Sequence, residues 1–160
     1  MATLELNEFS REIADKLFER FPEWRQYARV DKNENRDEGG VLYVEIPVLP
    51  DSNLNRPLYI LTANEEVVVG FDSDHNHFED FGESGNNDSA IQEVLDFIVD
   101  ILEERVVAVS WWAGSSLRGA TMIPSSSKPT PSEHIHSFDH VRIRSWKGTY
   151  DRDINTQLST

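Results

Sequence analysis

Apolar residues recur at helical spacing in two stretches of the chain. The first runs from Asn7 to Tyr27, where every fourth position from Phe9 to Leu17 is apolar, and the second runs from Ile91 to Leu102. Steps of three and four residues place side chains on one face of an α-helix, so both stretches predict amphipathic helices. Pro22 is predicted to end or bend the first helix, because proline cannot donate the backbone hydrogen bond that a helix interior needs.

Shorter stretches rich in β-branched and aromatic residues predict strands. They are Val41–Pro47, Leu58–Leu61, Val67–Phe71, Val106–Trp112, Leu117–Ile123 and Phe138–Trp146. Two of the connections between them are very short, which favours antiparallel pairing of the strands that they join. The order of elements therefore predicts an α+β fold, with an antiparallel sheet of about five to six strands and two main helices packed on one face.

The remaining segments are polar and predict connections. We expect exposed loops at residues 31–40 and 72–87, a flexible proline-rich loop at about 124–137 and a frayed tail at about 151–160. Of the 160 residues, 38% are hydrophobic and 10% are aromatic. This composition and length are sufficient for a single folded domain that spans residues 1–160.

The chain contains no cysteine. Disulfide bonds and thiolate metal sites are therefore excluded, and the reducing cytosol is the simplest location for the protein. The first residues lack the cationic and apolar regions of a signal peptide, and no apolar run approaches the roughly 20 residues that a membrane span needs. We therefore expect a cytoplasmic protein that does not bind membranes.

Negative charge is concentrated in the middle of the sequence. The formal net charge is −14, and the stretch between Arg56 and Arg105 contains thirteen acidic residues but no lysine or arginine. Such a charge repels the phosphates of nucleic acids and the headgroups of anionic lipids, so neither is an expected partner. A basic protein, in contrast, would be attracted.

Histidines and carboxylates in the predicted 72–87 loop offer an alternative function, the binding of a metal ion. His75 and His77 lie two residues apart in this loop. The other histidines form a second group near the C-terminus: His134, His136 and His140. Imidazole and carboxylate groups both bind zinc and other divalent ions. The simpler interpretation is that these are exposed polar residues, which need no metal.

The same loop also spaces oxygen atoms as a calcium-binding EF-hand does. Positions one, three, five, seven, nine and twelve of such a loop would be Asp72, Asp74, Asn76, Phe78, Asp80 and Glu83. Position six is His77 rather than the usual glycine, and the preceding segment is predicted to be a strand rather than a helix. A metal-binding module or metal-dependent enzyme that uses the segment Asp72–Glu83 stays an alternative.

No motif for catalysis stands out. The chain lacks a cysteine nucleophile, a Gly-x-Ser-x-Gly sequence and a glycine-rich phosphate-binding loop. Carboxylates are so numerous that no pair of them is marked as a general acid and a general base. We therefore expect that the protein is not an enzyme.

Two adjacent tryptophans, Trp111 and Trp112, lie in one predicted strand. Successive side chains of a strand point to opposite faces of the sheet, so one indole is predicted to lie in the core and the other at the solvent or in an interface. Large aromatic side chains on a surface are enriched in protein–protein interfaces.

The segment from Val68 to Phe78 contains the pattern Gly-Phe-Asp…His-x-His-Phe. It is followed by the acidic helix Ile91–Leu102 and by the strand that contains Trp111. In this pattern, which covers about Tyr43 to Trp112, the chain resembles small bacterial immunity proteins of polymorphic toxin systems, whose toxins are secreted or delivered by contact. The resemblance implies a protein that binds and neutralises a cognate toxin domain, with no catalysis of its own and no cofactor.

The acidic charge agrees with this implication, because many such toxins are basic enzymes and would be steered to an acidic partner. We expect the protein to occlude the active site or substrate groove of the toxin. The expected partner-binding residues are Asp72, Asp74, His75, His77, Glu79, Asp80, Glu83, Trp111 and Trp112. A further alternative with the same composition is an adaptor or chaperone for a secreted basic protein.

Overall fold

The computed structural model describes residues 3–31, 39–82 and 86–156. Within these ranges the fold combines two α-helices with a five-stranded and a four-stranded sheet, which confirms the predicted α+β class. The strands are more numerous than the predicted five to six, and they are divided between two sheets instead of forming one.

The chain divides into two compact units. The first unit contains residues 1–47, 58–70 and 76–97, and the second unit contains residues 48–57, 71–75 and 98–160.

The first helix, α1, spans Glu8–Arg20. The side chain of Asn7 caps its N-terminus by accepting a hydrogen bond of 2.8 Å from the backbone N–H of Ser10. A 3₁₀ helix of residues Pro22–Tyr27 follows, so the prediction that Pro22 ends or bends the helix is confirmed.

The five-stranded sheet has the strand order β1 to β5. Its strands are β1 (Ala28–Asp31), β2 (Val41–Ile46), β3 (Leu58–Ala63), β4 (Glu66–Phe71) and β5 (Asp74–Phe78). The connection from β3 to β4 is a two-residue turn in which Asn64 and Glu65 both have a φ of 56°. Positive φ at both central residues is the geometry of the hairpin turn that matches the twist of antiparallel strands.

Buried hydroxyl groups join α1 to this sheet. The Oγ atom of Ser10 and the Oγ1 atom of Thr62 are 2.6 Å apart, and both residues are inaccessible to solvent. The same Thr62 oxygen accepts a hydrogen bond of 2.9 Å from the backbone N–H of Leu42 in β2. Ile13 and Leu17 are buried beside Ser10 on the inner side of the helix. The polar contact therefore lies within the apolar packing of the helix on β2 and β3.

Strand β5 corrects the prediction of a continuous loop over residues 72–87. The sequence of this strand, Asp-His-Asn-His-Phe, has little of the β-branched and aromatic character on which strand prediction depends. It forms because residues 72 and 73 make a tight turn, in which Asp72 has a φ of 57°, that folds the chain back along the hydrophobic strand β4. Strand β1 was also missed, and most of the predicted 31–40 loop lies outside the described residues.

The second helix, α2, spans Asp88–Leu102, and this confirms the prediction of a helix over Ile91–Leu102. Its apolar residues Ile91, Val94, Ile98 and Ile101 are at most 3% exposed. In the part of the chain that the structure describes, no helix combines the length and the apolar character needed to cross a membrane.

The four-stranded sheet belongs to the second unit and has the order β7-β6-β8-β9. Its strands are β6 (Val106–Ala113), β7 (Ser116–Pro124), β8 (His140–Arg144) and β9 (Arg152–Asn155). Strands β6, β7 and β8 confirm the three predicted strands of this region. Strand β9 shows that the prediction of a frayed tail was wrong for residues 152–155, because Ile154 packs against the core of the sheet and Asp153 pairs with Arg144 at 2.8 Å.

The proline-rich segment between β7 and β8 has no helix or strand, as predicted. It is nevertheless attached to the sheet, because Ile135 packs against the buried cluster that includes Val109 and Val141. Gly119 makes room for this contact, since a Cβ atom at position 119 would lie 2.5 Å from the Cδ1 atom of Ile135.

A buried carboxylate holds another turn of the second unit. Glu104 is 7% exposed and accepts hydrogen bonds from the backbone N–H groups of Lys147 and Thr149 and from the Thr149 hydroxyl group. Burial alone would raise the pKa of Glu104, but the hydrogen bonds from Ser145, Thr149 and Lys147 outweigh it and leave the pKa below its usual value. No sequence pattern predicted this role for Glu104.

Candidate partner-binding surface

The negative charge is distributed very unequally between the two units. The first unit contains 19 acidic and 7 basic residues, a formal charge of −12, whereas the second contains 10 acidic and 8 basic residues, a formal charge of −2. Long-range attraction of a basic molecule is therefore expected to act mainly on the first unit.

A pocket of about 370 Å³ in the first unit combines this charge with aromatic walls. Its charged lining residues are three glutamates from α1 and from the β3–β4 turn: Glu8, Glu12 and Glu65. The rings of Phe9 and Phe81 meet edge to face beside them, with centroids 5.0 Å apart. Asn87 donates a hydrogen bond of 3.2 Å to Glu12. We call this site the acidic pocket.

The sequence pattern did not predict the acidic pocket. Its residues come from three segments that are far apart in the chain, and each glutamate alone resembles an ordinary exposed residue. The fold brings them together, because α1 packs over β2 and β3 and the β3–β4 turn carries Glu65.

A larger cavity of about 560 Å³ also lies in the first unit, between the N-terminal segment, α1 and the 3₁₀ helix. Arg11 and Arg25 contribute to its lining together with Asp15. Arg11 donates to the carbonyl oxygen of Leu6 at 2.9 Å, and Arg25 lies 5.0 Å from the centre of the Phe18 ring. Two arginines make this cavity a poor site for a basic partner.

The predicted partner-binding residues are divided between the two units. Asp72, Asp74, His75, Trp111 and Trp112 belong to the second unit, whereas His77, Glu79 and Asp80 belong to the first. Glu83 lies outside the described residues.

Asp72 is an internal support of the β4–β5 turn. It is 7% exposed, and its Oδ1 atom accepts a hydrogen bond of 2.8 Å from the backbone N–H of Asn55. Its Oδ2 atom accepts one of 3.1 Å from the hydroxyl group of Ser73. Because the carboxylate is buried and both of its oxygens have donors, Asp72 contributes to the fold of this turn rather than to an exposed surface.

The calcium-loop interpretation of this segment was wrong. An EF-hand loop wraps its ligands around one ion, whereas here Asp74, Asn76 and Phe78 lie on an extended strand. The first position of the series, Asp72, is occupied by its own hydrogen bonds in the turn.

Strand β5 and the two residues that follow it form an exposed polar segment. His75, Asn76, His77, Glu79 and Asp80 are exposed, and Asp74 is half-buried. Phe78 anchors the strand by packing on Phe97 of α2, with ring centroids 5.5 Å apart. In the described sheet β5 is an edge strand, and its polar side chains discourage unspecific strand addition there.

Three potential metal ligands meet at the end of β5. The Nδ1 atom of His77 lies 3.0 Å from the Oε1 atom of Glu66, and the ligating atoms of Glu66, His77 and Glu79 all lie within 4.8 Å of one another. His77 and Glu79 were singled out from the sequence, but Glu66 was not, because the pairing of β4 with β5 was not recognised. Among the residues described, the C-terminal histidines belong to no such cluster.

The two tryptophans of β6 occupy different environments, as predicted. Trp111 is 1% exposed and lies in the core cluster of the second unit. Trp112 is half-buried, and its Nε1 atom donates a hydrogen bond of 2.7 Å to the Oγ atom of Ser110. The guanidinium of Arg142 lies 4.4 Å from the centre of the Trp112 ring, and His140 stacks on the same indole. Trp112 is thus the tryptophan of this pair with solvent-accessible surface.

No protein-family model, curated protein or solved structure matches the chain. The pattern typical of immunity proteins therefore stays a resemblance in sequence.

Proposed function

We propose that the protein is an immunity protein that binds a cognate basic toxin domain in the cytoplasm and neutralises it by covering its active site or substrate groove. The observation that carries the proposal is the formal charge of −12 on the first unit. In this role the protein performs no catalysis and needs no cofactor, because occupation of the toxin surface is sufficient for inhibition.

The acidic pocket gives the proposal a specific contact. A lysine or arginine side chain offers several N–H donors and a positive charge, and the three glutamates offer only acceptors. The neighbouring rings of Phe9 and Phe81 add a favourable environment for a cation. We infer that a basic side chain of the toxin enters this pocket.

Two further exposed acidic residues of the first unit follow β5. Glu79 and Asp80 are exposed and carry the same sign of charge as the pocket. Charges of this kind chiefly raise the rate of association, since they attract the partner before contact is made. In the second unit, Trp112 is the candidate for a contact that slows dissociation, because it is half-buried and tryptophan is enriched among binding hot spots.

The first test is capture and inhibition. We expect the tagged protein to retain a toxin domain from lysate of its own organism at moderate salt, and we expect the purified protein to abolish the activity of that domain. An adaptor or chaperone would bind its partner without abolishing the partner's activity. Binding without inhibition would therefore contradict the immunity function.

A charge variant tests the assigned surface. Replacing Glu8, Glu12 and Glu65 by glutamine should lower the association rate constant with the toxin by about tenfold at low ionic strength and should weaken its salt dependence. The measurement is stopped-flow fluorescence at several salt concentrations.

The matched control removes three exposed acidic groups of the second unit through the substitutions Asp51→Asn, Glu103→Gln and Glu133→Gln. Both variants change the net charge by three, so a purely global charge effect would alter both rates equally. Equal effects, or no effect in either variant, would remove the acidic pocket from the binding surface.

A further inference from the structure

We propose that Glu66, His77 and Glu79 form a binding site for a divalent transition-metal ion of the zinc type. This inference is independent of the proposed immunity function. It starts from the convergence of one imidazole nitrogen and two carboxylates, whose ligating atoms lie within 4.8 Å of one another.

The donor set fits zinc better than calcium. Zinc is commonly held by three histidine or carboxylate ligands with a water molecule in the fourth position, whereas calcium requires six to eight oxygen ligands. Metal–ligand bonds of roughly 2.0–2.2 Å in a tetrahedron place the ligand atoms about 3.4 Å from one another. Modest side-chain rotations from the observed arrangement therefore suffice to enclose an ion.

Two of these ligands, Glu66 and His77, lie on paired strands of the five-stranded sheet. Glu66 begins β4, whose following residues Val67 and Val69 are fully buried in the centre of the first unit. His77 lies on β5, which pairs with β4, and Glu79 is the first residue after Phe78, the last residue of the strand. Folding of the sheet therefore already brings Glu66 and His77 together, which lowers the entropy cost of binding an ion.

The charge of the cluster favours a cation. Two carboxylates lie near one imidazole, and the sequence from residue 57 to residue 104 contains no lysine or arginine. Glu66 is the more buried partner of the His77 contact, with a side-chain exposure of 19% against 46% for the histidine.

Calorimetric titration with zinc chloride tests the proposal. The full chain, without a histidine tag and freed of metal by a chelator, should bind one zinc ion. An excess of calcium or magnesium should not displace this ion. The variants His77→Asn and Glu66→Gln should each weaken zinc binding by about tenfold or more, because each removes one of three protein ligands.

His75→Asn is the matched control, since it removes an exposed imidazole from the same strand and should leave the affinity unchanged. Circular dichroism and thermal unfolding establish that each variant is folded. If His77→Asn were unfolded, Glu79→Gln at an exposed position would provide the same test. Absence of zinc binding by the natural chain, or equal zinc affinity in the natural chain and the folded ligand variants, would overturn the site. Neither result affects the toxin-binding test, which is made without metal.

Discussion

At the scale of single residues, two buried carboxylates have structural roles that their sequence neighbours do not share. Asp72 supports the β4–β5 turn, and Glu104 gathers donors from residues 145–149. Adjacent acidic residues such as Glu103 are exposed. Thus only some of the acidic residues in the negatively charged stretch belong to its surface.

Glu104 leads to a prediction about pH. Its pKa is lowered in the folded protein, so its contribution to stability is fully present above the pKa of the unfolded chain and is lost as the pH falls through the lower, folded value. We expect Glu104→Gln to reduce the free energy of unfolding at pH 7 by about 1–3 kcal/mol, the usual cost of disrupting buried hydrogen bonds. The difference from the natural chain should shrink as the pH is lowered into the acidic range.

Urea unfolding at a series of pH values measures this difference, with Glu103→Gln as the exposed control next in sequence. A difference between Glu104→Gln and the natural chain that stays constant from neutral to acidic pH would show that the Glu104 charge is not responsible for its contribution.

At the scale of elements, the alternation of β6 separates two identical side chains. Trp111 is enclosed by the core of the second unit, whereas Trp112 lies on the other side of the strand and is half-buried. We expect Trp111→Ala to cost about 3–5 kcal/mol of stability, as is typical of a large cavity. Trp112→Ala should cost roughly 1–2 kcal/mol, because less apolar surface is lost. Denaturant unfolding of both variants measures these losses of stability. Similar losses in the two variants would contradict the assignment of Trp111 to the core and Trp112 to the surface.

The same periodicity explains how much of the fold was predictable. Helical spacing of apolar residues, or runs of β-branched and aromatic residues, predicted two helices and six strands, namely α1, α2, β2, β3, β4, β6, β7 and β8. Strands β1, β5 and β9 were not predicted, because β5 has mainly polar residues and the four-residue strands β1 and β9 contain no fully buried residue. Their formation depends on pairing with stronger neighbours, which a local sequence pattern cannot express.

The candidate site was predictable to a smaller extent for the same reason. His77 and Glu79 belong to a segment that was conspicuous in sequence, but Glu66 joins them only through the approach of β4 and β5. Glu8, Glu12 and Glu65 likewise meet only after α1 has packed on the sheet. Trp111 and Trp112 could be divided into core and surface, although periodicity alone did not tell which was which.

At the scale of the whole molecule, a net charge of −14 over 160 residues should oppose folding through self-repulsion. We expect the free energy of unfolding to rise with sodium chloride between low and moderate ionic strength, by no more than about 1 kcal/mol, since exposed charges interact weakly. In the variant that lacks the charges of Glu8, Glu12 and Glu65, salt should raise the free energy of unfolding by a smaller amount. Urea titrations of both proteins at several salt concentrations measure the effect. An identical rise in the free energy of unfolding would show that the repulsion arises from other acidic residues.

The hydroxyl pair of Ser10 and Thr62 has a consequence at the surface. Apolar packing by itself tolerates a small slide or rotation of a helix. A hydrogen bond between two hydroxyl groups that are 2.6 Å apart and inaccessible to solvent opposes such a shift, because the shift would leave a buried hydroxyl group without that partner. Glu8 and Glu12 lie on the same helix as Ser10, and Glu65 follows Thr62 by three residues. The buried hydroxyl pair thus helps to set the positions of the three glutamates of the acidic pocket. Even the small substitution Thr62→Val is therefore expected to lower the affinity for a partner that does not contact residue 62.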